Sequence, residues 1–308
     1  MKWQDETSVV ATTDDGMAKL FQFQNGTLKT LQSHCTHKQL SRDKFRINAI
    51  AVTKDLKVVT GDEYGNLVIW DTFAQQTRSL TLSKNTILVM KAHPVHHELL
   101  AFGCRLGLVY VVNINGRGRI IQKIRAHDED IQGIDWCHES IPDVFKDDLN
   151  DEFEVKDDDS SCHNIIAVSS RDKSLSIWSL KTGSGLAKLK IPSFSTYRND
   201  SPWITMKWLN QSLILVSGAQ GELCQWDLSK ITKVENGIIA KLNLYLNGKI
   251  EPNSHMLSLS QKTNENVDCQ ISANLLIVAV LHKSMLKILH TVKKKSEIFF
   301  YPMDTYPT

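Results

Sequence analysis

Aromatic and basic side chains gather around Trp203, and this combination suits the binding of nucleic acids. Tyr197 and Arg198 precede it in a polar loop, and Lys207 follows it. Indole and phenol rings stack on bases, while Lys and Arg neutralise phosphates. The alternative is that Trp203 packs beneath Tyr197 and Pro202 and binds nothing. The residue types therefore leave a stacking role and a packing role open for Trp203.

Metal and catalytic chemistry have less support in the sequence. Histidines cluster at His34 and His37 and again at 93–97, but zinc needs three or four converging ligands and neither cluster has a second pair at a suitable spacing. Gly116-Arg-Gly118 lacks the third glycine and the helix of a dinucleotide-binding loop. No serine or cysteine stands in the context of a nucleophile elbow. We expect a non-catalytic protein with no metal and no cofactor.

Composition narrows the class of protein further. The chain has 308 residues, 23% of them charged, and a formal net charge of +2. Such a balance does not indicate a nucleic-acid binder, so any such role must come from a local patch. No apolar run approaches the roughly 18–20 residues that cross a bilayer, which predicts no membrane partner. Six scattered cysteines without a Cys-x-x-Cys pair favour a reduced cytoplasmic or nuclear protein.

A repeated frame must position these side chains. Each copy has an apolar run, a tight polar turn that often contains Asp and Gly, and a bulky apolar anchor five residues after the turn. The anchors are Phe21, Trp70, Val112, Trp178, Trp226 and, in a weaker copy, Leu289. Their spacing of at least about 40 residues is the period of a WD40 blade. The frame predicts an all-β WD40 β-propeller spanning 1–308 as a single domain. About six blades are recognisable, which either close as six or form part of a seven-bladed ring.

Each blade requires four antiparallel strands, and the frame supplies the two in the middle. Inner strands are predicted at 45–52, 130–136 and 203–208, where apolar residues follow a loop. An outer strand is predicted at 119–125, whose charges suit an edge that faces solvent. Trp203 would then stand at the entrance to an inner strand.

One blade carries residues typical of a buried polar network in WD40 proteins. His127, Ser169 or Ser170, Asp172 and Trp178 match its His–Ser–Asp–Trp pattern. Such a network satisfies buried polar groups and fixes the turn. We therefore assign these residues a structural role.

Two segments interrupt the repeat. Residues 143–159 hold nine acidic residues against two lysines, so the sequence predicts a disordered acidic loop at about 138–163. The alternative reading is an acidic tether for a basic partner. The repeat also fades across 232–274, which predicts one irregular blade with a long loop.

Three stretches, 98–103, 125–137 and 203–227, together with the acidic insert, carry a resemblance to a known family. They resemble the N-terminal WD40 region of the gem-associated protein five family, the snRNA-binding subunits of SMN complexes. The resemblance covers about residues 3–230. The family's RNA-contacting N-terminal segment, second propeller and helical region have no counterpart here, so the chain resembles a truncated form.

The resemblance implies recognition of pre-snRNA, through its uridine-rich Sm site and 7-methylguanosine cap, for assembly of spliceosomal snRNPs. It implies other SMN-complex proteins as partners, and a place in the cytoplasm and nucleus, including nuclear bodies. Trp203 falls on the tryptophan that stacks on the cap, and Tyr306 is nearest to the second stacking aromatic. His255 lies near an RNA-contacting arginine and would carry less charge at neutral pH. The alternative is a protein-interaction scaffold that has lost RNA binding.

Overall fold

The fold is that of an all-β protein, seen in a computed structural model. The structure describes residues 2–5, 7–12, 16–24, 27–35, 46–137, 145, 164–190, 205–210, 213–217, 223–228, 267–271, 277–282, 285–290 and 295–300. Across these ranges the strands form antiparallel sheets that are the blades of a β-propeller. Within the same ranges no helix is long and apolar enough to cross a membrane.

The first three blades contain four strands each, and strands that are consecutive in the chain are neighbours in the sheet. Blade 1 contains β1 (Lys2–Trp3), β2 (Ser8–Thr12), β3 (Met17–Gln24) and β4 (Thr27–Cys35). Blade 2 contains β5 (Ile47–Val52), β6 (Val58–Asp62), β7 (Asn66–Asp71) and β8 (Gln76–Thr81). Blade 3 contains β9 (Ile87–Ala92), β10 (Leu99–Cys104), β11 (Leu108–Asn113) and β12 (Arg119–Arg125). The outer strand of blade 3 thus has the predicted bounds.

Three further sheets follow in the described part of the chain. Blade 4 contains β13 (Ile131–Trp136), β14 (Ile165–Ser170), β15 (Ser174–Ser179) and β16 (Gly185–Lys190). Blade 5 contains β17 (Thr205–Asn210), β18 (Leu213–Ser217) and β19 (Leu223–Asp227). Blade 6 contains β20 (Val267–Ile271), β21 (Ile277–His282), β22 (Met285–His290) and β23 (Lys295–Phe300). The described strands therefore match the expected blades.

The repeated frame coincides with the middle hairpin of every blade. All six anchors lie on the third strand, and the apolar run before each lies on the second. Trp70 pairs with Val58, Trp178 with Ile166 and Trp226 with Ile214, at the same separation along the chain. Register in a hairpin is set by its turn, so a constant turn length repeats the same pairing. The prediction of the middle strands is confirmed.

The core lies between consecutive blades. One cluster joins Leu67 of blade 2 to Phe102 of blade 3, and another joins Ile177 of blade 4 to Trp226 of blade 5. The inner strands also contact one another in chain order, β1 with β5, then β9, β13 and β17. Alternating side chains on each strand thus pack on the two neighbouring sheets.

Two ends of the propeller follow from this topology. We call one end the upper rim: it holds the turns between second and third strands and the loops that connect blades. The lower rim holds the other turns. Contacts confirm the grouping, because a Cβ on Gly107 would lie 1.7 Å from the His127 carbonyl oxygen, in the loop between blades 3 and 4. Gly107 has a φ of 70°, which favours glycine at this close approach.

The predicted acidic loop at 138–163 lies outside the described residues, except Phe145. That residue is buried and belongs to the cluster that contains Cys137, Leu175 and Trp208. An aromatic side chain buries much apolar surface, which accounts for its place in this cluster, and the predicted disorder of the loop stays a prediction. Of the irregular segment 232–274, only 267–271 is described, and it forms β20.

Candidate functional site

The predicted nucleic-acid residues fall largely beyond the described structure. Trp203, Tyr197, Arg198, His255 and Tyr306 lie outside the described residues. Lys207 is described, near the middle of β17.

Lys207 belongs to an ion network between inner strands. Its Nζ lies 3.5 Å from Oδ2 of Asp135 on β13, and the Lys207 side chain is 22% exposed. Burial lowers the pKa of Lys207, against the attraction of Asp135, which raises it. Lys207 was expected to neutralise phosphate; the structure places its ammonium group against a buried carboxylate, and its role toward phosphate stays a prediction.

Asp135 ties together the inner strands of blades 3, 4 and 5. Its carboxylate is fully buried, and Oδ1 lies 3.3 Å from Nζ of Lys91 on β9. The backbone N–H of Trp208 donates to Oδ2 at 2.8 Å. The indole N–H of Trp136 adds a further link between β13 and β9 by donating to the Lys91 carbonyl at 3.2 Å. These bonds fix β17, the strand that follows Trp203, against its neighbours.

A second polar network pins the upper rim of blade 4. Nδ1 of His127 donates to Asp172 Oδ2 at 3.1 Å, since a carboxylate can only accept. The hydroxyl of Ser176 then donates to Nε2 of His127 at 2.7 Å and accepts from the Trp178 indole N–H at 2.7 Å. Ser174 Oγ donates to Asp172 Oδ1 at 2.5 Å. The arrangement gives each of these buried polar side chains a hydrogen-bond partner within the blade.

The serine in this network differs from the expectation. Ser170 Oγ donates to the Glu129 carbonyl at 3.1 Å and accepts from the Asp172 backbone N–H at 3.3 Å. It therefore braces the turn, while Ser176 bridges His127 to Trp178. Sequence reasoning missed Ser176, although alternation on β15 places it on the same face as Ser174 and Trp178 and could have indicated it.

Burial alone would raise the pKa of Asp172. Hydrogen bonds from His127 and Ser174 overcome that effect and hold the pKa well below its ordinary value. The carboxylate thus stays charged near neutral pH and keeps the turn closed.

Among the histidines considered for metal binding, His93 accepts hydrogen bonds from the backbone of the loop that follows it. His93 is buried, and its Nδ1 accepts from the backbone N–H groups of Val95 at 3.1 Å and His96 at 2.9 Å. Its ring also meets Trp136 edge-on, with centroids 4.5 Å apart. Within the described ranges no group of three or more His, Cys, Asp or Glu could hold a metal. His37 and the side chain of His34 lie outside these ranges.

Sequence reasoning also missed an exposed apolar pair on the upper rim. Tyr64, in the turn of blade 2, is 54% exposed, and Leu106, in the turn of blade 3, is 63% exposed. The signal was present in the frame, because these residues stand where Asp172 stands in blade 4.

Comparison with known proteins gives one consistent resemblance. No protein-family model matches the chain. Gem-associated protein 5 from Homo sapiens is 28% identical over 239 residues, covering 71% of this chain. Gem-associated protein 5 from Mus musculus is 28% identical over 242 residues, with the same 71% covered. The chain spans about 15% of the length of each of these relatives. Over most of its own length, therefore, this propeller resembles Gem-associated protein 5.

Proposed function

We propose that this chain is a non-catalytic, RNA-binding WD40 protein that recognises the Sm site and 7-methylguanosine cap of pre-snRNA. Its role would be in spliceosomal snRNP assembly together with other SMN-complex proteins, in the cytoplasm and nucleus. The observation that carries the proposal is the resemblance to Gem-associated protein 5 over 71% of the chain.

The chemistry of the upper rim supports the proposal. Trp203 precedes β17, and an inner strand enters the blade from the upper rim. The Asp135 network holds that strand at the backbone of Trp208. A rigid strand reduces the entropy lost when an adjacent aromatic ring binds a base. Methylation gives the cap base a positive charge, which strengthens stacking on an indole.

Fluorescence anisotropy would test the proposal with a labelled RNA that carries the cap and a uridine-rich Sm site. The protein is titrated at low and at physiological salt. Binding should weaken as salt rises, because phosphate contacts release counterions. Trp203→Ala should weaken binding about tenfold or more, since one stacked base contributes roughly 1–3 kcal/mol.

Phe73→Ala is the matched control, because Phe73 is also aromatic and is 74% exposed on the lower rim of blade 2. It should leave the affinity for RNA unchanged. The wild-type protein should bind an RNA with an unmethylated cap more weakly than the same RNA with the methylated cap. Trp203→Ala should bind the two RNAs equally weakly. No binding by folded wild-type protein would defeat the proposal and leave the alternative, a protein-interaction scaffold that has lost RNA binding.

A further inference from the structure

In blades 1, 2 and 3 a side-chain acceptor closes the lower-rim loop that joins the inner strand to the second strand. In blade 1, Oδ1 of Asp5 accepts from the Thr7 N–H at 2.8 Å. In blade 2, Oγ1 of Thr53 accepts from the Lys57 N–H at 3.1 Å. In blade 3 the acceptor is Nδ1 of His93. A carboxylate accepts down to about pH 4 and a hydroxyl at any pH, but an imidazole nitrogen stops accepting once it is protonated.

The hydrogen bonds at His93 fix the protonation state of its ring. Nδ1 lies 3.1 Å from the backbone nitrogen of Val95 and 2.9 Å from that of His96. Both backbone groups can only donate, so Nδ1 must carry a lone pair and the ring proton belongs on Nε2. A second proton, on Nδ1, would remove both bonds and set three N–H groups against one another. The closed loop 93–98 is therefore compatible with a neutral ring only.

The position of the ring adds to the cost of a charge. His93 is 2% exposed, so a charge on its ring would lose most of its hydration. The ring meets Trp136 edge-on, with centroids 4.5 Å apart, and Trp136 is fully buried. The imidazole thus lies between the loop and this indole. If the ring moves out to reach water, it uncovers Trp136.

Ionisable groups described near this loop form pairs with one another. These pairs are Asp55 with Lys57 at 2.6 Å, His97 with Glu98 at 3.6 Å, and Lys91 with Asp135 at 3.3 Å. The His96 ring faces His93 with centroids 4.8 Å apart, so a charge on either ring would repel a charge on the other. Residues 138–163, which follow β13, lie outside the described residues.

His127 is also buried, but its surroundings differ in the property that matters. Its Nδ1 lies 3.1 Å from the Asp172 carboxylate. A positive charge on that ring would face a negative group, which favours it. At His93 the same charge would face two N–H donors, so acid acts against the His93 geometry more directly.

We propose that His93 is a pH-sensitive switch on the lower rim: when Nδ1 takes a proton in mildly acidic solution, the loop 93–98 opens and Trp136 becomes accessible to solvent. An exposed histidine binds its proton near about pH 6.5, whereas the closed loop excludes it. The open state therefore binds more protons and gains population as the pH falls below about 6.5. Between pH 7.5 and pH 5.5 the equilibrium constant for opening should rise about tenfold. The switch does not depend on the RNA binding proposed for the upper rim.

Hydrogen exchange of the wild-type protein, followed by mass spectrometry at pH 7.5 and pH 5.5, would test the switch. Rates are corrected for the intrinsic pH dependence of amide exchange. Protection of the Val95 and His96 amides should fall about tenfold at the lower pH. The Lys57 amide in the equivalent loop of blade 2 is the internal control, because Thr53 accepts from it at both pH values. It should keep its protection.

Two results of this exchange experiment would overturn the proposal. An equal fall in both loops would show general loosening by acid. Unchanged protection in 93–98 would show that the charged ring stays in place, as it would if a carboxylate of residues 138–163 held its Nε2 proton.

A matched pair of variants assigns the effect to one ring. In His93→Asn the side-chain oxygen can accept from the N–H groups two and three residues further on at any pH, so the loop should stay closed and lose its pH dependence. His97→Asn changes a ring that is 53% exposed in the same loop and should keep the tenfold fall. A fall in His93→Asn as large as that of the wild type would contradict the assignment to His93.

Discussion

In blades 3 and 4 a carboxylate closes the turn between the second and third strands, but the carboxylate comes from a different part of the chain in each blade. In blade 4 the carboxylate comes from within the turn, where Asp172 bonds His127 in the loop before it. In blade 3 it comes from outside, where Asp130 reaches back from that loop to the N–H of Leu106. The loop 126–130 therefore takes part in both closures, once as acceptor and once through a histidine donor.

The difference shows how a repeat can change its surface while keeping its fold. A turn needs its N–H groups satisfied, but the acceptor need not belong to the turn. Where a neighbouring loop supplies it, as Asp130 does, the position equivalent to Asp172 is open to any side chain. Leu106 in blade 3 is the result, and the blade 2 turn reaches the same outcome through Asp62.

Among these substitutions, Gly107→Ala should destabilise the turn of blade 3 most. A Cβ there would lie 1.7 Å from the His127 carbonyl oxygen, and φ is 70°. Because the clash is with backbone, the loop 126–130 must move, and the His127 network moves with it. We expect a loss of unfolding free energy of about 3 kcal/mol or more. Urea denaturation followed by tryptophan fluorescence would measure it.

Gly116→Ala controls for the backbone conformation alone. Gly116 also has a positive φ, of 56°, but a Cβ there meets nothing within 4 Å. Its cost should be about 1 kcal/mol. Equal losses for the two variants would show that the contact with His127 contributes nothing.

The blade 4 closure is tested by Asp172→Ala. The substitution removes the acceptor for His127 and for the Ser174 hydroxyl and N–H. Hydrogen bonds to charged groups contribute about 1.5–3 kcal/mol, so we expect a loss of about 2 kcal/mol in the urea midpoint analysis. Asp128→Ala, at an exposed position of the same rim, should change the unfolding free energy by less than about 0.5 kcal/mol. A result in which the exposed substitution costs as much would contradict the network.

Acid should weaken blade 4 through the same carboxylate. The pKa of Asp172 is lowered in the folded state by its hydrogen bonds, so its contribution is present above the unfolded value of about 3.9 and is lost as pH falls below it. The thermal midpoint of the wild type should therefore fall more steeply below about pH 4 than that of Asp172→Asn. Parallel curves would show that other carboxylates, such as Asp5 and Asp55, account for the acid sensitivity.

Much of the fold could be predicted because the frame is local. An apolar run, a short turn and an anchor fix a hairpin within a few residues, so Trp70 and Trp178 were assigned to the correct strands. Burial of Phe145 was missed because the acidic residues around it dominate the composition of that segment. A single aromatic contact is invisible to composition.

The candidate site was harder to predict because its contacts cross between blades. In the sequence Lys207 lies near aromatic residues, so it was expected to neutralise phosphate. In the structure its ionic partner is Asp135, which belongs to the preceding blade. Ser169 or Ser170 was expected in the network, yet it is Ser176 on β15 that reaches Nε2 of His127, which lies in the loop between blades 3 and 4. Periodicity gives the face of a strand, but it does not give the residue on the next sheet that meets it.

The smallest expected effect concerns the residue that closes the blade 4 turn. Lys173 has a φ of 62°, at the position where blades 2 and 3 have Gly65 and Gly107. A non-glycine residue pays about 1–2 kcal/mol in this region, while glycine loses somewhat more chain entropy on folding. Lys173→Gly should therefore stabilise the protein by about 0.5–1 kcal/mol, and Lys173→Ala should not. The gain should persist in Asp172→Ala, because relief of strain does not depend on the network. If it vanishes there, the carboxylate is what holds Lys173 in its strained conformation, and blade 4 differs from blade 3 in its backbone as well as in its acceptor.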